Sequence, residues 1–432
     1  MTYQQPVAML GEGGLRRFSR DVAFNMASVG IIGISGLLLN IMIAAIYGPL
    51  AMGMFNQILA IYIILGQLAP LGLHMSVLSF LPKLNDKPEL QRSAFSSALS
   101  MTIVSALLVC SCGFLSSHAI GKVLGSELVE RGIVWAIPGL WCFAVNKVLL
   151  GALNGARHMR MFAFAQSMRV VAWIAAMSVC VIIKTPVHVL PVVLTIGDVL
   201  LLCVIMPYSI SVFGFTPPKD WAGWISRHFR FGRRVMFSGL MMDMNTKADV
   251  LMLGIWCSDH IVGIYSFASM FIEGLAQIPG VLRENINPLI SALLQKNRYH
   301  QIKAFIRRMN YYTIPAMAII VCISSIAFPW FTMLVTGNPD FLNGQKAFVI
   351  LGIGLSISSG FIPFHMLLNQ SGHPQHFTGF VLSVLLSNIA LNAIMIPLWQ
   401  DVGAAIATAI ACLLTPLFLV FFSRFVLKQW IL

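Results

Sequence analysis

The sequence predicts an all-α polytopic membrane protein, with about twelve transmembrane helices in two six-helix bundles. Composition, the placement of basic residues and an internal repeat carry this expectation. Of 432 residues, 58% are hydrophobic and only 10% charged, and the mean hydropathy is +0.84. A soluble domain carries roughly 25% charged residues, so most of this chain's surface faces an apolar medium. In lipid a helix satisfies its own backbone polar groups, which irregular chain cannot do.

Apolar runs place the spans at 22–46, 52–80, 94–116, 132–153, 162–183, 188–212, 235–256, 261–282, 312–335, 346–368, 376–397 and 402–424. Each is near the ~20 residues that cross the hydrocarbon core, and the longer ones tilt. Pro186 marks the tight turn between the fifth and sixth. The domain reading is a leader (1–21), a first bundle (22–213), a linker (214–234) and a second bundle (235–432). The leader carries Arg16, Arg17 and Arg20, and the apolar run after it is too long for a signal-peptide core. It reads as a first span inserted with its N-terminus in the cytoplasm.

Charge tests that topology. Counting loops from a cytoplasmic N-terminus, 20 of the 28 Lys and Arg fall inside. Only Lys122, Arg131, Lys184 and Lys346 fall outside. This bias supports an even number of spans with both termini cytoplasmic. It also accounts for the net charge of +13 without nucleic acid, because the basic residues sit between apolar runs. Three inside segments look amphipathic, namely 83–93, 219–234 and 291–310. In the second, Trp221, Trp224, Phe229 and Phe231 alternate with basic residues, as expected of an interfacial helix on the cytoplasmic leaflet. An ordinary basic loop is the competing reading of each.

The halves echo each other. Gly53 matches Gly263 and Gln67 matches Gln277 at an offset of 210, while Leu153-Asn154, His158 and Phe162 match Leu368-Asn369, His373 and Phe377 at 215. An offset near six spans keeps both halves in one orientation, related by an axis along the membrane normal. Such paired bundles leave a cleft suited to alternating access.

Eight cysteines form no CxxC pair or Cys/His cluster and read as small buried hydrophobes. No cofactor or metal is expected, and no phosphate-binding GxxxxGK(S/T) loop is present. A glycan polymerase or ligase needs catalytic groups in a sizeable outer loop. The largest here, 117–131, holds His118, Lys122, Glu127, Glu130 and Arg131 without catalytic spacing.

Ionisable residues at depth are costly and mark candidate sites. They are Lys147, Asp198, Asp243, Lys247, Asp249 and Glu273, with Arg169 and Arg283 nearer the cytoplasmic side, where they can snorkel. Lys147, Lys247, Arg169 and Arg283 are the candidates for anionic substrate oxygens, and Asp198, Asp243, Asp249 and Glu273 for a coupling proton or sodium ion. The competing reading is helix-orienting pairs, above all Asp243 with Lys247, which an i, i+4 spacing puts on one face. Gln67, Gln277 and Asn40 are candidates for sugar hydroxyls, although Asn25, Asn40, His74 and Asn392 serve equally to join helices.

Four stretches carry a family resemblance. IAAIYGPLAMGMFNQILAIYIILGQLAPLGL (43–73) resembles the first helical pair of polysaccharide flippases, and LLGALNGARHMRMFAFAQ (149–166) their fourth-to-fifth connection. NTKADVLMLGIWCSDHIVGIYSFASMFIEGLAQIPGVL (245–282) resembles their seventh and eighth helices, and LNAIMIPLWQDVGAAIATAIA (391–411) the loop between their last two. The pattern keeps its order along nearly the whole chain and is that of the polysaccharide branch of the multidrug/oligosaccharidyl-lipid/polysaccharide exporter superfamily. The resemblance implies a V-shaped flippase of a bacterial inner membrane. Its substrate would be an undecaprenyl-diphosphate-linked oligosaccharide, held in a cationic cavity and carried to the periplasmic leaflet. Expected partners are that substrate, membrane lipid, and a polysaccharide polymerase with its chain-length machinery. A cation-coupled drug or metabolite exporter of the same superfamily is the alternative.

Overall fold

The computed structural model describes the backbone of residues 12–216 and 220–427 and the side chains of 30–216 and 220–426. The side chains of Arg16, Arg17, Arg20 and Asn25, together with Lys219 and Lys428, lie outside the described residues. The described chain is helical, in the order α1 (Glu12–Leu68), α2 (Leu73–Phe80), α3 (Pro88–Leu115), α4 (Ser117–Val123), α5 (Glu127–Gly155), α6 (Met159–Ile182), α7 (Val192–Phe213), α8 (Trp221–Trp256), α9 (Asp259–Gln295), α10 (Tyr299–Thr336), α11 (Gln345–Ser358), α12 (Leu367–Gln370) and α13 (Pro374–Leu427).

Among the described residues nine helices are long and apolar enough to cross a membrane. Two of the nine turn back on themselves. In α1 the helix breaks at Gly48 (φ 79°), and Pro49 opens the second arm. Asn56 Nδ2 donates to Asn40 Oδ1 at 3.1 Å, although sixteen residues of straight helix would span about 24 Å. In α13 the break is at Gln400 (φ 51°). There a Cβ on Gly403 would lie 3.0 Å from Ile396 N, a gap of about 10 Å in straight helix. The long helix α8 falls outside the nine. It carries Arg227, Arg230, Arg233 and Arg234 and then Asp243, Lys247 and Asp249, which lower its hydropathy.

Residues 221–234 of the expected linker and the seventh span form one unbroken helix, α8. Its first part does not lie free on a surface, because Trp224, His228 and Gly232 are buried. Ser76 Oγ lies 2.7 Å from His228 Nδ1, and His228 Nε2 lies 3.0 Å from Ala94 O, so this part is bound to α2 and α3. Burial lowers the His228 pKa to about 4. The imidazole is therefore neutral, and one ring nitrogen donates while the other accepts.

The repeat is physical. The second arm of α1 crosses α9 at Gly53 and Gly263, the pair matched in sequence. A Cβ on Gly53 would overlap Asp259 O and lie 2.8 Å from Gly263 N. A Cβ on Gly263 would overlap Pro49 O and lie 3.0 Å from Gly53 N. Pro49 and Asp259 are themselves 210 apart, so each contact repeats its partner, as an isologous crossing on a two-fold axis requires. Backbones approach this closely only where side chains are absent.

The core is continuous at one end and divided at the other. Around the Gly48 and Gln400 turns, one cluster joins both halves: Phe55, Ile58 and Ile133 pack with Tyr265, Phe267, Phe341 and Ile396. Toward the opposite, basic end the halves have separate clusters. One holds Leu73, Phe95, Leu149, Leu201 and Trp224, and the other Ile290, Ile302, Phe364, Phe380 and Leu419. The halves share one core at the far end and have separate cores toward the basic end, where α8 still joins them through His228 and Gly232.

Candidate functional site

The ionisable residues at depth gather where the halves begin to part. On α5, Phe143, Asn146 and Lys147 share one stripe at i, i+3, i+4 spacing. Lys147 Nζ donates to Gln67 Oε1 at 2.6 Å and to Gly66 O at 3.2 Å. Its ammonium lies 4.9 Å from the centroid of Phe143. The Arg169 guanidinium of α6 lies 5.1 Å from the same ring and 5.0 Å from Trp173. One aromatic ring therefore holds two cations whose like charges would otherwise separate, through its negative face.

Behind them Asp198 of α7 is fully buried. Tyr62 OH donates to its Oδ2 at 2.8 Å, and Asn146 Nδ2 donates to its Oδ1 at 3.2 Å and its backbone oxygen at 2.9 Å. Neutral donors satisfy this carboxyl, with Arg169 and Lys147 near enough for their charge to act on it.

α8 carries the row across the junction. Gly239 lets it press on Gln67, because a Cβ there would run into the amide. One turn on, Asp243 feels the charge of both Lys147 and Lys247. The expected i, i+4 pair of Asp243 with Lys247 gives way to a contact across helices, in which Lys247 Nζ donates to Glu273 Oε1 of α9 at 3.1 Å. Spacing permits the intrahelical pair, but a carboxylate on the packed neighbour is within direct reach. The Glu273 side chain is 57% exposed. Asp249 is turned away and buried, accepting from Tyr265 OH and from Val250 N at 2.9 Å.

Asp243, Glu273 and Arg283 line a cavity of about 420 Å³ with Asn245, His365 and Thr408. Its remaining wall is largely apolar, including Leu351, Leu355, Phe377 and Phe380. All its walls come from α8, α9, α11, the connection after α11, and α13, so this cavity lies within the second half, where a cleft between halves was expected.

Other expected residues do different work. Asn40 joins the two arms of α1 through Asn56 and donates to Gly36 O at 3.0 Å. Gln277, the repeat partner of Gln67, is exposed and donates to Glu273 O at 3.4 Å. Asn392 donates to Asn388 Oδ1 at 2.8 Å, and Asn388 donates to Asn245 O at 3.3 Å, which ties α13 to α8. Sequence reading missed Tyr62, Phe143, Asn146 and Trp173. Only Asn146, polar beside Lys147 in an apolar run, carried a local signal. It also missed Asp259, whose carboxylate accepts from Gln57 at 2.7 Å and from Ser126, clasping the halves beside the glycine crossing.

A family model described as "Polysaccharide biosynthesis protein" matches residues 18–282, more than half of the chain. No curated protein sequence matches. Among solved structures, the lipid II flippase MurJ in an inward closed conformation superposes with a TM-score of 0.77 at 17% identity, covering 94% of this chain and 88% of that one. An inward-facing multidrug resistance MATE family transporter of the MOP superfamily also gives 0.77, at 12% identity, covering 92% and 94%. A eukaryotic MATE transporter, AtDTX14, gives 0.65 at 16% identity, covering 96% of each chain. The fold is that of this superfamily.

Proposed function

The chain belongs to the polysaccharide biosynthesis protein family, and we propose that it flips an undecaprenyl-diphosphate-linked oligosaccharide from the cytoplasmic to the periplasmic leaflet by alternating access. The observation that carries the reading is the charged row through Arg169, Lys147, Asp243, Lys247, Glu273 and Arg283, at the depth where two joined halves part. A diphosphate needs fixed cations in a site of low dielectric, and flexible halves let that site face one side at a time.

In this reading the protein is a multi-pass transporter with twelve spans. The reversals at Gly48 and Gln400 divide α1 and α13, and the second part of α8 supplies the remaining span. The basic end is cytoplasmic, both termini with it, in a bacterial inner membrane. The parted basic end and closed far end correspond to an inward-facing state. The superpositions at TM-scores of 0.77 on an inward-facing MATE transporter and on an inward closed MurJ, against 0.58 on an outward-facing MATE transporter, support the inward side. Lys147, Arg169, Lys247 and Arg283 attract the diphosphate, with Gln67 and Gln277 near the glycan. Asn40 stiffens the first hairpin. Asp243 and Glu273 neutralise the lysines between substrates. Asp198 and Asp249, each held by a tyrosine hydroxyl, are the proton-coupling carboxyls. The product passes to a polymerase and its chain-length machinery on the outer face.

Replacing Lys147 with Gln, which keeps a hydrogen-bonding side chain one bond shorter but removes the charge, tests the reading. Glycan export should fall at least tenfold at unchanged protein level. Full export would reject a cation at this position. One observation favours a drug or metabolite exporter instead: a largely apolar cavity of about 420 Å³ inside one half suits a drug-sized molecule. Drug resistance conferred without any effect on glycan export would support it.

A further inference from the structure

α10 is the least buried of the nine membrane-length helices. Its 38 residues make about 57 Å of helix, against about 30 Å of hydrocarbon. The first turns therefore project into the headgroup layer on the basic side. There His300, Lys303, Arg307 and Arg308 line a groove of about 560 Å³, bounded by Tyr311 and Tyr312. Both tyrosines are exposed, at 73% and 62%. Among the described residues, Lys303, Arg307 and Arg308 form no ion pair.

The groove continues. The two tyrosines line the next hollow with Ile314 and Pro315. Ile314 then opens a groove of about 370 Å³ between α10 and α11, floored by Val321 and walled by Cys322, Val349 and Ile353. Each hollow shares lining residues with the next, so basic end, aromatic step and apolar channel form one track. α11 separates this track from the internal cavity. It turns Leu351, Leu355 and Ser358 inward and Val349, Ile353 and Ile357 outward. A positive-inside bias explains cations facing the cytoplasm. It does not explain a channel that begins beneath them.

We propose that this track is a binding site for an anionic phospholipid of the surrounding bilayer. The phosphate sits on Lys303, Arg307 and Arg308, the tyrosines meet the glycerol level where aromatic rings partition, and an acyl chain fills the α10–α11 groove. Basic pockets at the cytoplasmic ends of membrane helices attract such headgroups. The position outside α11 assigns the site to bilayer lipid and not to transported lipid. This assignment rests on the membrane-spanning fold and is independent of the flippase reading.

The test is native mass spectrometry of the purified full-length chain, titrated in mixed micelles with phosphatidylglycerol or phosphatidylcholine. Wild type should retain phosphatidylglycerol in strong preference. Changing Lys303, Arg307 and Arg308 together to Gln should remove that preference on the order of a hundredfold, from the attraction each basic residue adds. Equal retention of the two lipids by wild type, or preference surviving the triple change, overturns the proposal. If the triple variant does not fold, a photo-crosslinking residue at Ala304 in the otherwise wild-type chain decides. Capture of phosphatidylglycerol over phosphatidylcholine supports the site, and equal capture overturns it. Displacement by inorganic pyrophosphate alone would mark a free-phosphate site, and displacement by trace undecaprenyl diphosphate a substrate site. Either result overturns the assignment to bilayer lipid.

Discussion

Gly53→Ala adds one carbon where two backbones cross. That carbon would lie 2.8 Å from Gly263 N, where ordinary contact begins at 3.4 Å, and would overlap Asp259 O. Both obstacles are main chain, so no rotamer relieves them and the helices must separate. Overpacking of this kind costs about 1–3 kcal/mol. In the alternating-access reading the penalty falls on the state in which the far end is closed, because opening that end would separate the two helices. At about 1.4 kcal/mol per tenfold, the closed-to-open ratio falls roughly five- to 150-fold. The assay is the rate at which an impermeant thiol reagent modifies a cysteine placed at Gln57, beside the crossing. In wild type that position is buried against Asp259. Gly53→Ala should raise labelling, and Gly263→Ala should do the same because the crossing is symmetric. Unchanged labelling in both variants, at wild-type stability, would refute the account of the far end as a gate sealed by glycine packing.

Four further outcomes are expected. Asp198→Asn keeps a partner for Tyr62 OH but cannot carry a proton. It should leave the protein folded and abolish any dependence of transport on a pH gradient, which flux under imposed gradients reads directly. Lys247→Met strands Glu273 without its cation and should reduce export while Tm in detergent changes little, because the Glu273 side chain is 57% exposed. Burial holds the His228 pKa at about 4, below the ~6.5 of the unfolded chain. The unfolded state binds the extra proton, so this contribution is complete above pH ~6.5 and is lost progressively as pH falls toward ~4, by up to about 3 kcal/mol. His228→Gln should flatten the acid limb of a Tm-against-pH profile. Cysteine at Asn297 should react only from the cytoplasm and cysteine at Lys122 only from outside, and the reverse pattern would invert the topology.

Much of the frame was legible because lipid imposes local rules. Spans ending at 46 and 397 and restarting at 52 and 402 bracket the turns at Gly48 and Gln400. Gly48 announces a positive φ by its residue type, whereas Gln400 adopts one under tertiary demand that no local signal carries. The offset of 210 identified Gly53 and Gly263 as equivalents, and a residue meets its equivalent only on the axis, which is where they touch. The equivalence of Gln67 and Gln277 did not carry over to their surroundings. Gln67 is buried, accepting from Lys147 with Gly239 of α8 pressed on its amide, while Gln277 is exposed. The amphipathic pattern of 219–234 was read as a membrane-surface face. Trp224 and Phe231 pack on Phe80 of α2 while Trp221 and Phe229 stay exposed, a division that periodicity cannot make. The partners of Asp198 and Lys247 lie far away in sequence or on another helix, so they emerge only from packing.

The central claim is tested most directly by reconstitution. The purified chain is placed in proteoliposomes loaded on one leaflet with an undecaprenyl-diphosphate-linked oligosaccharide bearing a labelled sugar. An impermeant glycosidase then reports which leaflet holds the glycan. The account predicts that wild type exposes the glycan with time and that Lys147→Gln in the same vesicles does not. Glycan that stays protected with wild type, in vesicles where the protein is folded and correctly inserted, would contradict it.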